Sequence, residues 1–159
     1  MLIHLSVFKF GLDTTIRMLL NNISLLCWVV WGEAVMIIER ELEFRGSKGR
    51  RNLLALFDSG ATYSCINSSD VDGLANRERL PDPLDVETAS DGNFIRIVDR
   101  VGLDFYVDGL RMTDEFMVVP NLSESVIIGA TTMQKWKIKL DFEHDTIILD
   151  PRVAKLKLV

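Results

Sequence analysis

The residues best suited to chemistry lie in residues 54–62, which read LALFDSGAT. The apolar run is short and flanked by turn-forming residues, so it predicts a buried strand that ends at Asp58. A carboxylate at this point is costly to bury unless polar partners satisfy it. Gly60 permits a sharp turn and a close approach by other backbone. Because a buried carboxyl group with unusual neighbours often has a perturbed pKa, Asp58 is a candidate catalytic residue.

A second informative segment, residues 125–142, begins about seventy residues downstream and reads SVIIGATTMQKWKIKLDF. An apolar triplet leads into Gly129, then a short helix is predicted, followed by an alternating strand. Met133 and Trp136 are three residues apart and would share one face of that helix. Between the two segments, residues 86–97 predict a β-hairpin, because Asp91-Gly92 is a strong turn signal between apolar-containing runs.

Together the three segments resemble the retropepsin-like aspartic proteases, and the resemblance covers roughly residues 36–150. It implies that Asp58 is catalytic and that the next residues form the active-site loop and support a dimer: Ser59, Gly60 and Ala61. It implies that three residues pack beneath this loop: Ile127, Ile128 and Gly129. It also implies a flap that binds substrate and is made of Thr88, Ala89, Ser90, Asp91, Gly92 and Asn93.

The chemistry of this family requires two carboxyl groups that share one proton. Only Asp58 has the motif, since the other Asp-Gly pairs lack the intervening Ser or Thr, and the chain is too short for two fused lobes. The resemblance therefore implies a homodimer in which each Asp58 faces its mate and a protein or peptide is the substrate. The predicted function is an aspartic endopeptidase. The alternative is a catalytically idle module for dimerisation or peptide binding that keeps the barrel and groove.

Many short strands with closely spaced turns predict an all-β fold, a small closed barrel of the retropepsin-like type with one short C-terminal helix. Strands are expected over residues 37–44, 52–57, 100–107, 112–119 and 145–149. The 159 residues suit one domain, with 48% hydrophobic residues. A net charge of −5 and the lack of a basic cluster with aromatic residues argue against nucleic-acid binding. Neither histidine falls in a metal-ligand spacing, and no cofactor is expected.

Two departures from the retroviral pattern bear on the dimer and on pH. Retroviral enzymes carry an acid and an arginine that pair at the places of Thr62 and Ala130, so we expect a weaker dimer here. A hydroxyl in place of the Ala61 side chain could bond to the ionised carboxylate and lower its pKa. Its absence favours a mildly acidic to near-neutral working pH.

The two ends of the chain are separate from the predicted domain. Residues 1–35 form an apolar leader that falls short of the roughly 20 clean apolar residues of a spanning helix. Three interpretations stay open: a mis-called start with Met36 as the true one, a membrane anchor, or a cleaved or packed signal-like segment. We expect a cytoplasmic protein, at the membrane only if the leader is an anchor. The tail, residues 151–159, alternates near its end and could add an interface strand.

Overall fold

The computed structural model describes residues 37–87, 94–150 and 152–153 of the chain. The leader, the flap residues 88–93 and most of the tail lie outside the described residues, so the expectations for them stay predictions. The strands are β1 (Ile37–Arg45), β2 (Arg50–Asp58), β3 (Cys65–Asn67), β4 (Glu78–Glu87), β5 (Phe94–Val107), β6 (Leu110–Val119), β7 (Val126–Ile128), β8 (Lys139–Asp141) and β9 (Thr146–Ile148). The helices are α1 (Ser68–Val71) and α2 (Ala130–Trp136).

Six strands close into a barrel, as the sequence predicts. The sheet runs β1-β2-β7-β3-β6-β5-β4, and β1 also pairs with β5, which joins the two sides. The closing contact sets Phe44 opposite Phe105. Strand β4 pairs only with β5, so these two strands form a hairpin that extends from the barrel.

The barrel interior is filled by side chains that alternate along each strand. Three phenylalanines form its centre, Phe44, Phe105 and Phe116, with ring centroids 5.9 to 6.1 Å apart. Phe116 meets both of the other rings edge to face, a favourable geometry for aromatic pairs. All three side chains are fully buried. This apolar core fixes the position of the strands that carry the site.

A second, smaller apolar cluster lies on the other face of the same strands. In β7, Val126 and Ile128 point into the barrel while Ile127 joins the second cluster. Leu56 of β2 and Cys65 of β3 join it in the same way. Because β7 is buried on both faces, its sequence is apolar throughout instead of alternating.

The predicted C-terminal helix is confirmed as α2, with Met133 and Trp136 buried on one face. The helix ends at Trp136, and its C-cap residue, Lys137, adopts a left-handed conformation (φ 52°). The four-residue helix α1 was not predicted from the sequence; the side chain of Asn67 caps it by accepting a hydrogen bond from the N–H of Ser69 (3.0 Å). Within the described part of the chain, neither helix is long and apolar enough to cross a membrane.

The hairpin strands differ from the prediction in one respect. Residues 94–97 and 100–107 were expected as separate pieces, but β5 is one continuous strand of 14 residues. The irregularity lies instead in its partner, where β4 shifts register between Arg79 and Leu84. This stretch holds two prolines, which cannot donate ladder hydrogen bonds. The predicted Asp108-Gly109 turn between β5 and β6 is confirmed, with both residues at positive φ.

Candidate active site

Asp58 is the last residue of β2, and its side chain is only 1% exposed. Its carboxylate oxygen Oδ1 accepts a hydrogen bond of 2.8 Å from the backbone N–H of Gly60. The chain turns here, and the N–H of Ala61 donates to the carbonyl oxygen of Asp58 (3.3 Å). The strand thus delivers a carboxyl group to a tight loop that satisfies part of its hydrogen-bonding capacity.

Opposing effects act on the pKa of the Asp58 carboxyl group. Burial raises the pKa and is the largest effect, because the ionised form loses contact with water. The backbone N–H groups of Gly60 and Ala61 act in the opposite direction, and the carboxylate of Glu124 raises the pKa further. The net result is a pKa above the ordinary value for aspartate, so protonation is easier here than on the surface.

Strand β7 lies beside the strand that ends at Asp58, and it carries Ile127 and Ile128, two of the residues predicted to support the loop. It runs parallel to β2, with Ile127 beside Leu56 and Ile128 beside Phe57. Gly129 follows, and a Cβ atom there would lie 2.5 Å from the carbonyl oxygen of Tyr63. Only glycine allows this approach of two backbones, since real Cβ atoms do not come so close.

Hydrogen bonds join the loop to the start of α2. The N–H of Ala130 donates to the carbonyl oxygen of Ala61 (2.7 Å), and the N–H of Thr131 donates to that of Thr62 (3.2 Å). The Thr131 hydroxyl donates to the same Thr62 oxygen (2.7 Å). Hydrogen bonds between backbone groups do not depend on the side chains of the loop. They can therefore hold the loop although Thr62 and Ala130 stand where retroviral enzymes have an acid–arginine pair.

Sequence reasoning missed a buried pair of hydroxyls below the loop. Ser64 Oγ and Thr132 Oγ1 are 2.6 Å apart and hydrogen-bonded, and the N–H of Gly129 donates to Ser64 Oγ (3.0 Å). Both side chains are buried. The available signal was Thr132 on the otherwise apolar face of α2 that carries Met133 and Trp136, because a polar residue there needs a partner.

The remaining predicted loop residues lie on the surface of the single chain. Ser59 and Gly60 are exposed, and Ala61 is half-buried. The proposed role of Ser59 in the dimer stays a prediction. Exposure of Ser59 is compatible with that role, because an interface residue is open to solvent in an isolated chain.

A cleft of about 170 Å³ adjoins the loop. The residues that line it come from the loop, from the hairpin arms and from the second apolar cluster: Gly60, Ala61, Thr62, Tyr63, Cys65, Val86, Glu87, Ile95, Ile97, Val119 and Ile127. Strands β4 and β5 remain paired up to Glu87 and Phe94, which flank the predicted flap residues. The hairpin arms therefore form one side of the cleft and the loop after Asp58 another.

The fold of the chain is similar to the folds of solved structures. The chain matches the EIAV protease complexed with the inhibitor HBY-793, with a TM-score of 0.50 and 16% identity over 65% of this chain and 90% of that one. It also matches the retroviral protease-like domain of Ddi1 from Leishmania major, with a TM-score of 0.49 and 15% identity over 73% of this chain and 90% of that one. A third match is the simian foamy virus protease, with a TM-score of 0.39 and 20% identity over 60% of this chain and 92% of that one. The chain has the retropepsin-like fold.

The fold is shared although the sequence has diverged far. No protein-family model matches the chain, and no curated protein matches it. At the identities given above, the solved structures show the retropepsin-like fold alone. Among the described residues, no group of three or more His, Cys, Asp or Glu side chains could hold a metal ion.

Proposed function

We propose that the chain is an aspartic endopeptidase that works as a homodimer. The observation that carries this proposal is the buried carboxyl group of Asp58 at the end of β2, beside an apolar cleft in a retropepsin-like fold. Burial supports the proposal because it raises the pKa of this carboxyl group. Easier protonation is what one member of a catalytic carboxyl pair requires.

The proposed reaction uses two carboxyl groups, one ionised and one protonated. The ionised group takes a proton from water, and the water oxygen forms a bond to the carbonyl carbon of the scissile peptide. The protonated group donates its proton to the carbonyl oxygen, which gives a neutral tetrahedral intermediate. Transfer of a proton to the amide nitrogen and cleavage of the C–N bond then release the acid and the amine.

The second carboxyl group in this proposal is the partner's Asp58. Two-fold symmetry brings the same residue of each copy to the axis, so one aspartate per chain is sufficient. Like charges so close cannot both ionise easily, which leaves one proton shared by the pair. Ser59 would support the contact between the two loops, and residues 88–93 would close over an extended peptide. The absence of an acid–arginine pair at Thr62 and Ala130 supports a weak dimer.

The location proposed for the enzyme is the cytoplasm. If residues 1–35 are a mis-called start, a chain that begins at Met36 should be soluble and as active as any longer form. Recovery of native protein from membranes, with an N-terminal peptide from residues 1–20, would contradict this location and would support an anchor.

The test of the function is the Asp58→Asn variant. The amide keeps the shape of the side chain, and its oxygen can still accept from the N–H of Gly60, but it cannot share a proton with its mate. We expect digestion of a denatured-protein mixture by residues 36–159 to stop. Circular dichroism and sedimentation should show an intact fold and dimer.

The same experiment distinguishes the alternative. A catalytically idle dimerisation or peptide-binding module would cleave nothing in its wild-type form, while it still bound peptides. Cleavage at an unchanged rate by Asp58→Asn would overturn the aspartic-protease proposal.

A further inference from the structure

The cleft combines an apolar interior with an acidic charge. Among the described residues that line it, Glu87 alone is charged, and none is a lysine, arginine or histidine. The other lining side chains are mostly aliphatic, with Thr62, Tyr63 and the Cys65 thiol among them. Burial raises the pKa of the Cys65 thiol to about 12, so the thiol is neutral at physiological pH. A side chain that enters the cleft therefore meets an apolar surface and, at the edge, a carboxylate.

The positive charges of the hairpin do not compensate Glu87. Arg96 lies 3.7 Å from Asp85, and Arg100 forms ion pairs with Glu78 (3.0 Å) and Glu115 (2.8 Å). Within the described part of the chain, Glu87 makes no ion pair. Basic residues of the hairpin are thus matched by other acids, and the exposed Glu87 adds net negative charge at the cleft.

A second carboxylate, from another element, acts on Asp58. Glu124 precedes β7, and its charge reaches Asp58 through space. Glu87 belongs to the hairpin and Glu124 to the β6–β7 loop, so two elements contribute negative charge to this side of the molecule. The net charge of −5 has the same sign. Such fields attract positively charged ligands and repel negatively charged ones.

We propose that the cleft selects peptides in which an apolar side chain is followed or preceded by a lysine or arginine. The apolar side chain occupies the space between Val86 and Ile95 of the hairpin and Ile127 of the floor. The neighbouring cation lies near Glu87, within the field that Glu124 strengthens. This inference rests on the proposed function, because it names the substrate class of the same site.

The test uses three labelled peptides that differ at one position next to a leucine: lysine, glutamine or glutamate. Binding is measured by fluorescence anisotropy with the Asp58→Asn protein, which cannot consume the peptide, and kcat/KM is measured with the wild type. We expect the lysine peptide to be preferred over the glutamine peptide by about threefold to fivefold, in the range of an exposed ion pair. The glutamate peptide should bind most weakly, and added salt should reduce all differences.

Charge variants locate the origin of the preference. Glu87→Gln should remove most of the lysine preference, Glu87→Lys should reverse it, and Glu124→Gln should weaken it. Glu41→Gln is the matched control, since Glu41 is an exposed glutamate on β1 that does not line the cleft. Thermal denaturation of each variant checks that the fold is kept.

The outcomes separate this inference from the function on which it rests. Equal binding of the lysine and glutamine peptides, or a lysine preference that survives the Glu87→Gln, Glu124→Gln double substitution, overturns the inference even if the protein cleaves peptides. Selective binding that depends on Glu87, without any cleavage by the wild type, sustains the inference and overturns the endopeptidase proposal.

Discussion

At the scale of single residues, Asp58 has both burial and hydrogen-bond donors around it. Full burial without donors would leave the carboxyl group permanently protonated and unable to act as a base. Strong donors on a hydrated surface would leave it permanently ionised. Here the N–H of Gly60 bonds to one oxygen while the side chain is 1% exposed, so both protonation states are within reach. This balance is what a group that exchanges a proton in each cycle needs.

The raised pKa of Asp58 predicts a pH-dependent penalty on stability. A carboxyl group whose pKa is higher in the folded state binds more protons folded than unfolded, so stability falls as the pH rises above the ordinary value of 3.8. Asp58→Asn removes this penalty, so the free energy of unfolding of the variant, relative to that of the wild type, should increase from pH 3 to pH 7. Urea denaturation of both proteins at pH 3 and at pH 7 measures this difference in the free energy of unfolding. Asp82→Asn, the same change at an exposed site, is the control, and an equal gain in both variants would contradict the prediction.

Gly129 offers a test of the close backbone contact under the loop. Gly129→Ala places a Cβ atom 2.5 Å from the carbonyl oxygen of Tyr63, so the loop must shift. We expect a loss of about 1–3 kcal/mol in the free energy of unfolding, as for other overpacked sites, with reduced activity. Gly102→Ala is the control, because a Cβ atom there meets nothing within 4 Å. Equal stability of the two variants in thermal denaturation would contradict this account of the loop.

The sequence could reveal these two residues because each leaves a local sign. Asp58 interrupts an apolar run, and Gly129 ends one. Thr132 leaves a weaker sign, as a polar residue on the apolar face of α2, but its partner Ser64 is 68 residues away in the chain and could not be paired with it from spacing. The effect of Glu124 on Asp58 was also missed, because interaction through space between loops is set by the fold and not by spacing.

At the scale of elements, β7 is the central support of the site. It lies between β2, which carries Asp58, and β3, which follows the candidate active-site loop. Its pairing is parallel to β2 and antiparallel to β3, so three residues connect both sides of the loop. Helix α2 then starts directly after Gly129 and adds its backbone N–H groups as donors to the loop.

The hydroxyl pair between β3 and α2 should show energetic coupling. Ser64→Ala leaves the N–H of Gly129 without its acceptor, and Thr132→Val removes the other hydroxyl while it keeps the shape. We expect each single variant to lose about 1–3 kcal/mol in the free energy of unfolding. The loss in the double variant should be smaller than the sum of the two single losses by about 1 kcal/mol. Denaturant unfolding of the four proteins measures this. As the control, Thr113→Val changes an exposed threonine elsewhere, and its loss in free energy of unfolding should add to that of Ser64→Ala. If the losses of Ser64→Ala and Thr132→Val also add, the coupling is contradicted.

Elements with a regular pattern were predicted well, and irregular ones less so. Strand β1 alternates over its whole length, and its prediction from residue 37 to 44 falls one residue short of the observed end. The start of β4 was not predicted, because its prolines argue against a strand and only the long partner β5 holds it in place. The short helix α1 depends on a cap by Asn67, a signal that is common in loops as well.

At the scale of the whole molecule, the closed barrel is complete by itself, while the proposed active site is half of one. The barrel has its own aromatic core and joins β1 to β5, so a single chain can hold the fold. Each chain supplies one Asp58 to the proposed catalytic pair. The exposed residues after it, Ser59 and Gly60, would face a second copy. Folding and activity should therefore be separable by dilution.

Specific activity should fall on dilution through the dimer dissociation constant, because each dyad needs two chains. Mass action also makes thermal stability depend on protein concentration. Because Thr62 and Ala130 replace the acid–arginine pair, the loss of specific activity should occur at protein concentrations that an activity assay can reach. A peptide inhibitor that contacts both copies should shift dissociation of the dimer to lower protein concentrations. Activity assays across a dilution series, with sedimentation of the same samples, measure both.

An excess of Asp58→Asn should poison the wild type through mixed dimers with one competent carboxyl group, whereas an excess of Asp82→Asn should not. A monomer with undiminished activity at high dilution would overturn the two-chain active site and the mechanism that depends on it.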